Sequence, residues 1–344
     1  MNLFQPEAKY RRDWSGRLFV LSPGDIPTVD FYVRSRVERS PAVSVIYRDS
    51  RYFNAGEIDL EVGTFVVIVR HAGTAWLRWL ADQALRLSGV AYLMDDDIPA
   101  AWRCWDVPLD YGLWTSGRYW LAWWGGISRV CDRIWVSTEA LARRYAACQP
   151  RVVPPLPVDS GRPASPEGIH RWGYHGTRIH WRELRWLLPV VDAVQRRVPD
   201  AEFEVFGGPQ VVRMFARIPR VHVMSPLPWQ SYLIHCRASA LAVGLAPMLP
   251  GYFNEARSCT KVFDIVRCGA VGVFAARMPY STVLASSGAA LLPDDTHIWA
   301  DEIESLLLND IERIQRYEKM RDWVAQFGWE ENIAELIMRE TRRG

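Results

Sequence analysis

Apolar runs and helix-spaced stretches alternate along the whole chain. LFVLS (18–22), AVSVIY (42–47), TFVVIVR (64–70), VAYLM (90–94) and RIWVS (133–137) are β-rich and bounded by turn residues. Between them, stretches such as 75–87 carry apolar residues on a 3–4 spacing and predict helices. The alternation restarts at HRWGYHG (170–176), continues with a helix over about 181–197, then EFEVFGG (202–208) and VHVMS (221–225). A helix over 229–237, strand LAVGLAP (241–247), a helix over 258–268 and strands AVGVFAA (270–276) and AALLP (289–293) follow, before a charged helical tail from 301. Strands apolar on both faces and alternating with helices predict parallel sheets covered on both sides. Between the two series, VVPPLPVDSGRPASPEG (152–168) holds five prolines and no apolar period, the mark of a linker. The prediction is two α/β halves around a hinge, with ligands in the cleft beyond the strands' carboxyl ends.

Composition narrows this picture. At 344 residues the chain has room for two domains, and 49% hydrophobic with 23% charged residues excludes global disorder or coiled coil. A net charge of +2 argues against a nucleic-acid partner. No apolar stretch reaches the length of a membrane span or a secretory signal, so the expected location is cytoplasmic. Cys104, Cys131, Cys148, Cys236, Cys259 and Cys268 form no CxxC pair and no metal-ligand spacing, and read as separate thiols of a reducing compartment. Of 41 basic residues only Lys9, Lys261 and Lys319 are lysines, so a lysine inside a candidate site is informative here.

The densest chemistry lies in YFNEARSCTKVFDIVRCGAVGVFAA (252–276). With Ser258 as N-cap, Arg257 stands at a helix mouth and Lys261 one turn in. Helix amides, the positive dipole end and two cations make an anion site suited to a diphosphate. Asp264, three residues past Lys261, shares its face and could accept from ribose hydroxyls. The same spacing also fits a surface helix with a Lys–Asp pair. Gly176 and Thr177 follow one strand and Gly207 another, where glycine lets a ligand approach the backbone. His71 follows TFVVIVR, either facing the cleft or hydrogen-bonded at a helix start. Asp95-Asp96-Asp97 after VAYLM has three readings: a metal-holding DxD as in GT-A transferases, carboxylates lining an acceptor site, or a solvated charge run. Six of the 17 tryptophans lie in 99–126, interleaved with Arg103 and Arg118. They suit a core, a sugar-stacking surface or a membrane interface.

The order Y-x-G-x-x-x-H (174–180), a strand ending FGG, then N-x-A-R-S-x-x-K-x-x-D with C-G-A-V-G-V resembles the donor half of GT-B glycosyltransferases, of the retaining "group 1" or family 4 type. The resemblance implies two Rossmann-like doubly wound domains, 1–158 for the acceptor and 159–328 for the nucleotide sugar, with a helix at 329–344 crossing back. It implies a UDP- or GDP-sugar donor, no further cofactor, no essential metal, and a glycan or lipid-linked acceptor, with membrane contact left open. It places Arg257 and Lys261 on the diphosphate, with Gly176-Thr177 and Ser258 beside it. Asp264 is implied on the ribose, Glu255 and His71 on the donor sugar, Gly207 near the nucleotide, and Ser225, Pro226 and Leu227 by the base. Eight residues separate Glu255 from Asp264, where the family has seven between its paired acids, and Ala256 stands at the first acid's place. A nucleotide-sugar or protein binder without catalysis is the reading from another class.

Overall fold

The computed structural model describes residues 12–54, 56, 58–104, 109–159, 161, 163–176, 180–326 and 332–341. Two six-stranded parallel sheets form its two halves. The first contains β1 Arg17–Ser22, β2 Ser44–Asp49, β3 Thr64–Val69, β4 Leu87–Met94, β5 Arg133–Val136 and β6 Arg151–Val152, in the order β2-β1-β3-β4-β5-β6. The second contains β7 Arg171–Tyr174, β8 Glu202–Phe206, β9 Val221–Met224, β10 Val243–Ala246, β11 Val271–Ala275 and β12 Ala290–Leu292, in the order β12-β11-β10-β7-β8-β9. Every residue of β3 and β4 is buried, as apolar runs between two helix layers require. The edge strand β2, SVIYRD, is more polar and is partly exposed, as is the opposite edge β6.

Each sheet has one point where the strand order reverses, between β1 and β3 in the first and between β7 and β10 in the second. Residues that follow the strands at both reversal points line the same cleft.

Local structure departs from the sequence-based expectation in several places. The 75–87 helix stops at Asp82 and gives way to a 3-10 turn, Ala84–Arg86. Leu87 then opens β4, because its side chain completes the buried strand. The proline-rich segment is a packed strap. Val153 and Leu156 are fully buried, Leu156 N–H donates to Phe31 O (2.7 Å), and Arg36 Nη2 donates to Pro154 O (2.7 Å). Two helices without a clear sequence signal, Leu109–Ala122 and Pro209–Phe215, also form.

Contacts between the halves are specific and buried or partly buried. Trp229 Nε1 donates to Asp30 Oδ2 (2.7 Å), and Thr138 Oγ1 donates to Ala256 O (3.0 Å). The last helix, Ile333–Thr341, lies against the first half. Glu340 there pairs with Arg133 (3.1 Å) and Arg151 (2.8 Å), and Leu336 and Ile337 are buried. Residues 327–331 and 342–344, which include the ends of the expected crossing segment, lie outside the described residues.

Candidate active site

Between the sheets lies a cavity of about 450 Å³, lined by both halves. Thr28 and Tyr32 follow β1, Arg70 follows β3, and Asp95 and Asp96 follow β4. From the other side come His175 and Gly176 after β7, Leu227 after β9, Trp229 and Tyr232, and Lys261 with Asp264.

The first half supplies an unusual strand end. Arg70 sits at φ 60°, a left-handed conformation that costs a non-glycine residue of order 1 kcal/mol. That turn sends its guanidinium into the cleft, where Nε donates to Asp95 Oδ1 (2.7 Å) and Nη2 to Asp95 Oδ2. Thr28 Oγ1 donates to the same carboxylate (2.6 Å). Asp97 is buried elsewhere and accepts from Arg144 Nη1 (2.7 Å) and Tyr145. Asp95 and Asp96 both line the cleft, and Asp96 is the one of the three without a close guanidinium pair, with Arg70 Nη2 3.6 Å away. Burial first, and then the neighbouring Asp95 charge, push its carboxyl up to about 6. The GT-A reading of Asp95–Asp97 is corrected here. The fold is a pair of parallel sheets facing across a cleft, and the outer two carboxylates are paired with Arg70 and Arg144.

His71 is not brought to the cleft. Its N–H donates to Val69 O (2.6 Å), and its half-buried ring, with a pKa lowered by burial and by Arg118, does not line the cavity. The turn at β3 directs the preceding arginine inward instead.

On the facing side, the key helix runs from Thr260 to Arg267 and begins one residue later than a Ser258 N-cap predicts. Cys259 is its N-cap residue, and no side chain caps it, so Ser258 stands just ahead of the helix, still lining the cleft. Lys261 reaches the cleft and donates from Nζ to His175 O, while burial lowers its pKa. Asp264 also lines the cleft, with Oδ1 held by Arg267 Nη1 (2.7 Å) and Oδ2 3.9 Å from Lys261 Nζ. Gly269, at φ 77°, ends the helix. The helix packs closely on β10 because Gly244 leaves room for Ile265, and a Cβ there would come within 2.8 Å of that side chain.

Arg257 lines an adjoining cavity of about 110 Å³ that shares Asp96, Ser258, Thr260 and Lys261 with the cleft. It is anchored by Glu183, a fully buried carboxylate that accepts from Arg257 Nη1 (2.9 Å) and from Tyr174 OH. Against the downward pull of burial, that carboxylate holds the Arg257 pKa above its usual value. Removing one partner of a buried pair strands the other, at a typical cost of about 3–5 kcal/mol. Glu183→Ala is therefore expected to lower stability by about that amount, measured by denaturant unfolding, whereas an equally stable variant would deny the pairing.

The remaining predicted residues divide. Gly176 lines the cleft, and a Cβ there would lie 2.3 Å from the Tyr174 ring. Pro226 and Leu227 line it too, but Ser225 is exposed and outside it. Gly207 does not line it either. A Cβ at that position would strike Val211 at 2.4 Å, so this glycine serves helix packing. Glu255 is turned away by the 3-10 turn Asn254–Ala256, which buries its two neighbours. Its exposed carboxylate pairs with Arg144 (3.3 Å). Thr177 lies outside the described residues.

Sequence reading missed Arg70, Glu183, Trp229, Tyr232 and a buried polar network behind Gly176. There Glu204 Oε1 lies 2.9 Å from His175 Nε2 and 2.8 Å from His235 Nε2. Cys236 and Cys268, 32 positions apart, converge on the other ring nitrogen of His175. Only a histidine directly before Gly176 hinted at this cluster.

No protein-family model matches the chain. Solved structures do resemble it. S. aureus TarM, in complex with UDP, α-GlcNAc-glycerol and fondaparinux, superposes with TM-score 0.56 at 12% identity, over 82% of this chain and 55% of that one. The chain thus spans about half the length of TarM. Trehalose-6-phosphate synthase, studied for glycosyltransfer with retention, gives TM-score 0.59 at 9% identity over 95% and 99%. The pneumococcal O-GlcNAc transferase GtfA, bound to UDP and GlcNAc, gives 0.50 at 14% identity over 83% and 58%. The fold of this chain is GT-B: two Rossmann-like parallel-sheet domains facing across a cleft.

Proposed function

We propose that this chain is a glycosyltransferase that moves a sugar from a nucleotide diphosphate donor to a hydroxyl of a glycan or lipid-linked acceptor. The observation that carries the reading is the meeting of Lys261 and Asp96 across one cleft, at the switch points of both sheets. Breaking the anomeric C–O bond leaves negative charge on the diphosphate. A lysine held at that place stabilises the charge as it develops. Arg257 adds a second cation along the adjoining cavity. Gly176 gives the phosphates room against the backbone, Asp264 offers its cleft-facing oxygen to the ribose, and Pro226 and Leu227 flank the base. Asp96 accepts the hydrogen bond of the incoming hydroxyl and orients it toward the anomeric carbon. On this reading 1–158 carries the acceptor and 159–328 the donor.

Retention of anomeric configuration is the proposed outcome, in line with the sequence resemblance and with the retention studied for trehalose-6-phosphate synthase. The diphosphate is held by cations of the chain rather than by a divalent ion, since Asp95 and Asp97 are already paired. The six free cysteines support a cytoplasmic setting. The test is a thermal-shift screen of UDP, GDP, ADP and their sugars, followed by transfer assays with and without Mg²⁺ or Mn²⁺. One nucleotide class is expected to raise Tm, since a ligand that binds only the folded state stabilises it. A cleft that binds none of them overturns the proposal.

We also propose peripheral membrane contact through the helix Leu109–Ala122. No helix among the described residues is long and apolar enough to cross a membrane. This one nevertheless exposes Leu109, Leu113, Trp114 and Leu121, with Trp102 and Trp124 nearby. Arg118 lies over the Trp114 ring and Arg103 over Trp102, the mixture of cation and indole that suits an anionic interface. Trp123, by contrast, is core, so the tryptophan-rich segment splits between core and surface, and Trp105 lies outside the described residues. Vesicles containing phosphatidylglycerol are expected to sediment the chain. A Leu113→Asp/Trp114→Ser variant should stay in the supernatant, and equal sedimentation of both would remove the idea.

A further inference from the structure

We propose that His175, Cys236 and Cys268 form a zinc site beneath the cleft. His175 follows β7, Cys236 lies in the last turn of the helix Trp229–Ala238, and Cys268 is the C-cap of the helix Thr260–Arg267. Both sulfurs stand 4.0 Å from His175 Nδ1, and the three ligand atoms lie within 4.8 Å of one another. At a tetrahedral zinc, bonds of about 2.3 Å to sulfur and 2.0 Å to nitrogen put such atoms about 3.6 Å apart, so a shift of a few tenths of an ångström closes the set. Two thiolates and one imidazole are a ligand set that selects a soft or borderline ion. The thiolates also cancel the charge of Zn²⁺, so the filled site is neutral, as burial requires.

The partner of the other ring nitrogen supports this assignment. Glu204 accepts from His175 Nε2–H, which leaves the Nδ1 lone pair facing the sulfurs. A carboxylate behind a ligating histidine is the usual support of such sites, fixing the tautomer and making the nitrogen a better donor. The alternative trio His175, Glu204 and His235 does not fit an ion. Its contacts of 2.9 and 2.8 Å are hydrogen-bond lengths, shorter than the roughly 3.3 Å between nitrogen or oxygen ligands of one tetrahedral ion. The Tyr232 hydroxyl lies 3.2 Å from Nδ1, and Tyr232 lines the cleft, so an oxygen stands beside the three ligand atoms.

Such an ion ties two helices to the turn whose carbonyl Lys261 holds and whose Gly176 lines the cleft. Its role is to fix that turn, and it takes no part in bond breaking. The inference holds whether or not the cleft binds a nucleotide sugar.

The test uses the full chain without a histidine tag, purified under reducing conditions. Elemental analysis is expected to find about one zinc per chain, as a single site of this kind requires. Loading with Co²⁺ should give the strong visible bands of a tetrahedral ion and a near-ultraviolet thiolate-to-cobalt charge-transfer band. Cys236→Ser/Cys268→Ser should abolish both the metal and the charge-transfer band. The cobalt spectrum of the wild-type chain reads sulfur ligation even where that variant fails to fold. Removing zinc with a chelator should lower Tm, and adding it back should restore it. Overturning results are a metal-free chain that shows no charge-transfer band with Co²⁺, equal zinc in the double variant, or a mass and thiol count showing a Cys236–Cys268 disulfide.

Discussion

Lys261→Ala is expected to reduce turnover by about 10²–10³-fold, the usual cost of deleting one preorganised donor at a developing anion. The lysine has two duties in this site. It faces the cleft, and it holds the turn after β7 by donating to the His175 carbonyl. Losing a charge that acts on the leaving diphosphate lowers kcat. Losing the anchor of the turn loosens donor binding and raises KM. Lys261→Met separates these effects from packing, because it keeps the length of the side chain and removes only the ammonium. Both variants are expected to stay folded, since the helix Thr260–Arg267 is anchored by Val262, Phe263 and Val266, all buried. Steady-state transfer kinetics, with melting curves as control, check the expectation. Turnover within about threefold of wild type would remove Lys261 from the charge-stabilising role.

Asp96→Asn is the second large expected effect, and its pH dependence is the sharper readout. The carboxyl is pushed up to about 6 by burial and by the Asp95 charge. On the proposed function an ionised Asp96 accepts from the incoming hydroxyl, so wild-type kcat/KM should fall as pH drops below about 6. The asparagine variant should lose rate over the whole range and show no inflection there. Stability should move the other way. A carboxyl whose folded pKa lies above its unfolded value of 3.8 binds its proton more tightly in the folded chain. It therefore favours folding at low pH and loses that contribution as pH rises through about 6. Asp96→Asn should raise Tm at pH 8 and leave it nearly unchanged at acidic pH. An acid limb that persists in the variant would assign the titration to another group.

Much of this was legible along the chain. Runs such as FVVIV and VAYLM are apolar on both alternating faces, as a strand covered on both sides requires, and they became the central strands. The glycine after β7 and the isolated lysine at 261 marked the second half's side of the cleft because they follow local rules of backbone approach and helix ends. The same rules placed Ser258 one position too far inside the helix and assigned Gly207 to a ligand that it does not face.

What the residue pattern determined by itself is the architecture: two parallel sheets, a proline-rich connection between them, and a cationic helix at the carboxyl edge of the second, whereas the packing of that connection into a strap was not legible. Periodicity and turn chemistry are local, and they are written in neighbouring residues. Which side chains meet in the cleft was decided only by the tertiary structure. Arg70 rather than His71 enters because of one left-handed backbone angle, and Asp96 is released because Arg70 and Arg144 claim its neighbours. Arg257 finds Glu183 from 74 positions away, and Cys268 finds His175 from 93. Such pairings depend on where packed strands and helices end in space, and no spacing along the chain encodes that.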